Sequence, residues 1–104
     1  MADAGRKTGD QVLERTRPQT KKPTLYNVIL HNDDYTTMQF VVEVLETIFH
    51  KTPAQAFRVM MHVHTRGKGL CGAYPYEVAE TKVSMVHDHA QAQGFPLRAS
   101  LEEA

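Results

Sequence analysis

The sequence predicts a small α+β domain whose elements follow the order β-α-α-β-α-β. Three observations support this prediction. Short runs rich in β-branched and aromatic residues alternate with longer amphipathic stretches. Two successive capping-box patterns, each typical of a helix start, lie between the first and the second of these strand-like runs. Helices that are paired in sequence between strands favour three helices packed on one face of a small antiparallel sheet.

The first strand and the first helix are expected near the start of this domain. Residues 25–30 form a short β-rich run, and residues 31–35 form a polar loop. Thr36 is followed three residues later by Gln39, which fits a capping box, so Thr36 is the predicted N-cap. The apolar stripe of this helix consists of Met38, Val41, Val42, Leu45, Ile48 and Phe49.

The second helix has the clearest boundaries in the sequence. Thr52 and Gln55 fit a second capping box, and Pro53 stands at the favoured first helical position. The helix is expected to end before Gly67. The helix carries Ala56, Phe57, Met60, Met61 and His64.

The remaining elements complete the predicted order. A second strand is expected over residues 69–74, weakened by Gly72. Pro75 and Glu77 open a third helix, which ends before Gly94. The last strand is expected near residues 97–101. The predicted apolar face of the third helix consists of Ala79, Val83, Val86 and Ala90.

Composition bounds both the organisation and the function of the chain. The 104 residues contain 41% hydrophobic residues, enough for one modest core. The formal net charge is zero, which argues against a nucleic-acid-binding protein. Residues 1–22 contain almost nothing apolar, so they are predicted to be a flexible N-terminal extension of a core domain at 23–104. A single cysteine, Cys71, indicates a reducing compartment, most simply the cytoplasm.

Few residues in the sequence support a catalytic or a metal-binding function. Asp33 and Asp34 are adjacent, but acids in loops usually form turns and caps. The pairs His62/His64 and His87/His89 point to different sides of a helix, so neither pair can hold one ion. We therefore expect no enzyme, no metal and no cofactor. A metal-dependent hydrolase that uses Asp33, Asp34, His62 and His64 remains an alternative.

A binding cleft is the more specific hypothesis. If the first two helices pack together, the polar side chains of Asn32, Asp33 and His64 would border an apolar hole. The walls of that hole would be Met38, Val41, Met60 and Val63. Helical spacing alone would place these methionines in the core. A site that is half apolar and half rich in acceptors suits a ligand with a cation beside a hydrophobic group.

Three separated segments carry a resemblance to a known family. NDDYT at 32–36, MMHVHTRG at 60–67 and VAETKV at 78–83 resemble, in order and spacing, the bacterial ClpS adaptors. The resemblance covers about residues 22–104. It implies an adaptor that binds N-degrons, which are proteins with Phe, Tyr, Trp or Leu at the N-terminus. The adaptor would deliver them to the ClpA unfoldase of the ClpAP protease. A generic protein-interaction module is the second alternative.

The resemblance also implies roles for individual residues. The substrate's α-amino group would be bound by Asn32, Asp33 and His64. The N-terminal side chain would be surrounded by Thr36, Met38, Val41, Met60, Val63 and Leu97. Glu77 and Lys82, expected on an exposed face of the third helix, would dock on the N-terminal domain of ClpA. The extension at 1–22 would engage the unfoldase. The expected protein is a monomer that binds neither nucleic acid nor membranes.

The sequence departs from the family pattern at three positions. Thr37 stands where the family usually has proline, and His31 replaces an apolar residue before Asn32. Pro75 stands where a threonine or serine cap is typical, so the third helix is expected to begin differently. None of these changes removes a residue expected to bind the amino group.

Overall fold

The fold, taken from a computed structural model that describes residues 22–104, has the predicted order of elements. The strands are β1 (Leu25–His31), β2 (Lys68–Pro75) and β3 (Arg98–Glu103). The helices are α1 (Met38–Thr47), α2 (Pro53–Arg66) and α3 (Tyr76–Gln93). Residues 1–21, which include nearly all of the predicted extension, lie outside the described part of the chain.

The three strands form one antiparallel sheet in the order β2-β1-β3. The register between β1 and β2 shifts between Val28 and Ile29, so β2 has one extra residue there. Val28 and Leu30 are fully buried and belong to the same core cluster as the helices. Because side chains alternate along a strand, Ile29 and His31 lie on the opposite face of the sheet.

The core lies between this sheet and the three helices, as the sequence predicted. Its α1 residues are Phe40, Val41, Val44 and Leu45. The predicted stripe differs, because Met38 is 43% exposed and therefore lies outside the core. The inner face of α3 consists of Ala79, Val86 and Ala90, with Val83 half-buried.

The start of α1 corrects the predicted capping box. The N-cap is Thr37, not Thr36, and its hydroxyl accepts a hydrogen bond of 3.1 Å from the backbone N–H of Phe40. Gln39 is therefore not the N3 residue. Thr36 belongs to the loop instead, where its own N–H and hydroxyl both donate to Asp33. A competing side-chain acceptor in the loop thus moves the helix start by one residue.

The start of α2 matches its prediction. Thr52 and Gln55 form the reciprocal capping box, and Pro53 occupies the first helical position. Gly67 ends the helix in a left-handed conformation with φ of 94°, which glycine adopts without steric cost. Gly69 then brings β2 close to α2, because a Cβ there would lie 2.7 Å from Cγ2 of Val63.

The start of α3 lacks a side-chain cap. Pro75 stands at the N-cap position, and no side chain accepts from the first turn. Glu77 is the acidic residue of that turn, where it interacts favourably with the helix dipole. Helix α3 crosses the sheet and packs against all three strands.

Candidate functional site

The loop between β1 and α1 is organised around the carboxylate of Asp33. Its Oδ1 accepts hydrogen bonds from the N–H of Tyr35 at 2.8 Å and from the N–H of Thr36 at 2.7 Å. Its Oδ2 accepts a third bond, of 2.8 Å, from the Thr36 hydroxyl. The base of the loop is tied to the end of α2, since the Asn32 N–H donates to the carbonyl of Gly67 at 2.9 Å.

These bonds keep Asp33 ionised. Burial by itself would raise the pKa of this carboxyl, but the hydrogen bonds from Thr36 and Tyr35 outweigh burial and lower the pKa below its ordinary value. The loop therefore holds a permanent negative charge beside the first turn of α1 at neutral pH.

Below this loop, α1 and α2 supply an apolar floor. Val41 of α1 and Met60 and Val63 of α2 are all at most 6% exposed. They belong to the continuous core of the domain, so the position of the floor is set by core packing. Met38, on the first turn of α1, is exposed and forms the outer wall.

His64 lies on the last turn of α2, beside the loop rather than in the core. Its side chain is exposed, and it lines the same cleft as Asn32 and Asp33. His62, two residues earlier, instead lines a separate groove with Arg58, Val59 and Leu70. The two histidines therefore serve different surfaces.

The loop and the two helices together enclose a cleft of about 220 Å³. That volume is smaller than the range typical of drug-sized ligands, about 300–1,000 Å³, and suits a single side chain. The cleft is lined by Asn32, Asp33, Asp34, Thr36, Met38, Val41, Met60, Val63 and His64.

This cleft brings together all but one of the residues expected around a substrate N-terminus. Leu97 does not line it, since its side chain is buried in the core at the start of β3. Asp34 also lines the cleft, although the sequence indicated only possible metal binding or acid–base chemistry for it. Its position directly after Asp33, in a loop that must turn towards α1, was the available signal.

The described part of the chain has no arrangement suited to metal binding or to thiol chemistry. Within residues 22–104, no three His, Cys, Asp or Glu side chains are placed to hold one metal ion. The Cys71 thiol is fully buried, and burial raises its pKa to about 12, as expected of an unreactive structural thiol. No helix in this range has the length and apolarity needed to cross a membrane.

The outer surface of α3 contains the two other predicted site residues. Glu77 is exposed, beside the exposed side chains of Val78 and Met85. Lys82 is half-buried, which corrects the expectation that both charges lie on an exposed face. Its Nζ donates to the carbonyl of Ile48 at 2.7 Å and lies 5.2 Å from the centre of the Tyr74 ring.

Comparisons with known proteins agree on one family. Residues 21–100 match the family described as ATP-dependent Clp protease adaptor protein ClpS. The ClpS adapter protein of Maricaulis maris is 54% identical over 101 residues, which cover 97% of this chain and 93% of that protein. The ClpS of Rhodospirillum centenum is 52% identical over 101 residues, 97% of this chain and 92% of that protein.

The fold agrees with a solved relative. The structure of Agrobacterium tumefaciens ClpS2 bound to L-phenylalaninamide superposes with a TM-score of 0.77 and 37% sequence identity. The match covers 80% of this chain and 100% of the other. The family name describes an adaptor for a protease and not a catalyst. With the family's elements in place and half of its residues identical to those of curated relatives, the chain belongs to the ClpS family of Clp protease adaptors.

Proposed function

We propose that the cleft binds the first residue of N-degron proteins and that the adaptor delivers them to the ClpA unfoldase. One observation supports this proposal above the others. A single cleft of about 220 Å³ has acceptors at its rim and buried apolar side chains at its floor. A protein N-terminus offers the complementary pair, which is an ammonium group attached to the same carbon as a side chain.

The polar rim matches the needs of an α-ammonium group. This group has a pKa of about 7.7–8.0, so it is largely charged at neutral pH and needs acceptors when it leaves water. Asn32 can accept through its amide oxygen, and His64 can accept through the unprotonated nitrogen of a neutral ring. The ionised Asp33, with Asp34 beside it, supplies negative charge next to these acceptors.

The floor matches a hydrophobic first side chain. Burying a side chain of this kind contributes roughly 1.5–3 kcal/mol. The methionines Met38 and Met60 are flexible and polarisable, so they can pack against the flat rings of Phe, Tyr and Trp and against branched Leu. The ligand of the solved relative, L-phenylalaninamide, has both a free amino group and an aromatic side chain. That ligand supports the same use of the cleft here.

N-terminal acetylation provides the main test of substrate binding. Peptides that begin with Leu or Phe should bind by fluorescence anisotropy, and their N-acetylated forms should bind far more weakly because the ammonium is gone. Met38→Ala should weaken binding of the free peptides. Met85→Ala is the matched control, since it is 45% exposed against 43% for Met38 but lies on α3. Equal binding of free and acetylated peptides would show an interaction module without N-terminal specificity.

Delivery would use the surface of α3 around Glu77 and the N-terminal extension at 1–22. Glu77 is exposed beside apolar Val78 and Met85, a mixed surface typical of protein contacts. Lys82 is a poor residue for a test of docking, because charge reversal there would also break its bond to the Ile48 carbonyl. Its role at this surface is to hold the end of α1 against α3.

Glu77→Arg therefore tests docking without disturbing the core. Association with the isolated N-terminal domain of ClpA should weaken, whereas peptide binding should stay unchanged. Glu103→Arg, an exposed charge reversal at the end of β3, is the matched control. Normal association of Glu77→Arg with that domain would exclude Glu77 from the docking surface.

A further inference from the structure

Three basic residues form a row across the end of the sheet nearest the cleft. His31 of β1 lies directly opposite Lys68 of β2 on one side and opposite Arg98 of β3 on the other. Residues directly opposite each other in antiparallel pairs share a face and lie close together. We name Lys68, His31 and Arg98 the cation row; its positive charge at neutral pH comes from Lys68 and Arg98, which flank His31.

The cation row lies on the face of the sheet that the helices leave uncovered. The neighbours Leu30, Gly69 and Ala99 face the helices: Leu30 and Ala99 are core residues, and a Cβ on Gly69 would meet Val63. Because side chains alternate along each strand, the residues of the row point the other way. Lys68 and Arg98 are both exposed.

Within residues 22–104, neither Lys68 nor Arg98 forms an ion pair. The acidic residue on this face is Glu102, four residues beyond Arg98 and hence about 13 Å along the strand. His31 is hydrogen-bonded through Nε2 to the Ser100 hydroxyl at 2.7 Å. Burial, followed by the charges of Arg98 and Lys68, lowers the pKa of His31, whereas the charge of Glu102 acts to raise it, so all three charges lie near His31.

The row adjoins the cleft along the chain. His31 precedes Asn32 of the rim, so their Cα atoms are about 3.8 Å apart. Lys68 follows Gly67, whose carbonyl accepts from Asn32. Strands lie about 4.8 Å apart, so the row is roughly 10 Å wide. The third to fifth residues of an extended peptide held by its first residue at Asn32 lie about 7–14 Å from that first residue, which is enough to reach the row.

We propose that the cation row binds acidic side chains at the third to fifth positions of the substrate, so that N-degrons followed by Asp or Glu are favoured. This inference rests on the proposed N-terminal binding. The site then has two poles. Asp33 and Asp34 attract the ammonium, and the cation row attracts acidic groups further along the same peptide. An acidic segment placed at the wrong end would be repelled by Asp33 and Asp34, so the two poles also orient the peptide.

The test compares peptides that begin with Leu and carry three Glu, three Ser or three Lys at the third to fifth positions. At low ionic strength the Glu peptide should bind roughly fivefold more tightly than the Ser peptide, and the Lys peptide more weakly than the Ser peptide. Added salt should remove the difference. N-acetylated forms of all three peptides should bind weakly if the cleft recognises the free N-terminus.

Charge reversals assign the preference to the row. Arg98→Glu and Lys68→Glu should each reduce or invert the preference for Glu while leaving the affinity for the Ser peptide nearly unchanged. Arg98→Lys should retain it. Arg58→Glu is the matched control, because Arg58 is an exposed cation on α2 in a different groove.

The outcomes separate the two proposals. Binding that depends on a free N-terminal Leu but is equal for Glu, Ser and Lys peptides would overturn the cation-row inference and leave the proposed function standing. Equal binding of free and acetylated peptides would instead contradict the proposed function. A loss of the Glu preference in Arg58→Glu as large as in Arg98→Glu would assign the effect to overall charge and overturn the role of the row.

Discussion

The floor of the cleft belongs to two packed helices, whereas its rim belongs to a loop that is ordered by hydrogen bonds. Met60 and Val63 are held by the same contacts that hold the core. Asn32 to Thr36 are held by three bonds to one carboxylate and one bond to the Gly67 carbonyl. The two halves of one site should therefore respond to different perturbations: the floor to changes of volume, the rim to changes of charge and protonation.

The largest expected effect is at the floor. Met60→Ala should lower the free energy of unfolding by about 2–5 kcal/mol, because a buried side chain is lost and its space refills only in part. If the methionine side chain limits the width of the wild-type cleft, the wider cleft should also admit β-branched Ile and Val. Denaturant unfolding and peptide binding measure the two effects. Met38→Ala, at the exposed wall, should change stability by less than about 0.5 kcal/mol.

Unchanged discrimination between Leu and Ile in a folded Met60→Ala protein would make Met60 a core residue without a role in specificity. A volume-conserving change, Met60→Leu, covers the case in which the alanine variant does not fold, since such swaps usually cost less than about 1.5 kcal/mol. It should leave stability close to that of the wild type and still alter the Leu-to-Ile ratio.

A smaller effect is expected at the rim from Asp33→Ala, which removes the acceptor of three loop hydrogen bonds. The free energy of unfolding should fall by roughly 1–2 kcal/mol, and binding of Leu peptides should fall with it. Asp34→Ala is the matched control for stability: it removes the neighbouring carboxylate, which makes none of these loop bonds.

The pH dependence of this contribution follows from the lowered pKa of Asp33. The folded protein holds the proton less tightly than the unfolded chain, so the stabilisation is fully present above the ordinary Asp pKa of about 3.9. It is lost as the pH falls through the lower folded-state value. The stability gap between wild type and Asp33→Ala should therefore close in acid. A gap that stayed constant to low pH would show that Asp33 acts through its shape and not its charge.

The next largest effect is expected at the start of α1, which joins the rim of the cleft to its floor. Thr37→Ala removes the cap of α1, and Thr52→Ala removes the cap of α2. Each should cost about 1 kcal/mol in unfolding free energy. Only Thr37→Ala should also weaken peptide binding, because α1 starts at the cleft. The start of α2 lies at the opposite end of that helix from the cleft. Equal effects of both variants on binding would mean that peptide binding depends on the overall stability of the domain and not on the local start of α1.

The smallest expected effect concerns His31, at the base of the loop. Burial and the nearby charges of Arg98 and Lys68 lower its pKa, so its contribution to stability is complete above the ordinary histidine pKa of about 6.5 and declines as the pH falls through the folded-state value. His31→Val should flatten this decline in thermal unfolding measured from neutral to mildly acidic pH. A decline of the same steepness in the variant would assign it to another group.

The sequence alone determined the order of elements, the boundaries of α2 and most of the floor. These features rest on local rules. A capping box, a proline at the first helical position and a C-terminal glycine act within a few residues, and helical spacing placed Met60 in the core. The family resemblance then indicated which polar residues to expect beside that floor.

Only the tertiary structure decided the start of α1, the exposure of Met38 and His64, and the burial of Leu97 away from the cleft. Thr36 and Thr37 are equally good N-cap residues by type. In the fold, the N–H and hydroxyl of Thr36 donate to Asp33, and Thr37 accepts from the N–H of Phe40 as the N-cap. The sequence predicted Lys82 as a surface charge, but in the fold its Nζ donates to the carbonyl of Ile48, 34 residues earlier in the chain. Likewise, His31, Lys68 and Arg98 are far apart in sequence, and strand register alone sets them side by side. Contacts of this kind depend on chain segments that meet only when the domain is folded, so no local pattern contains them.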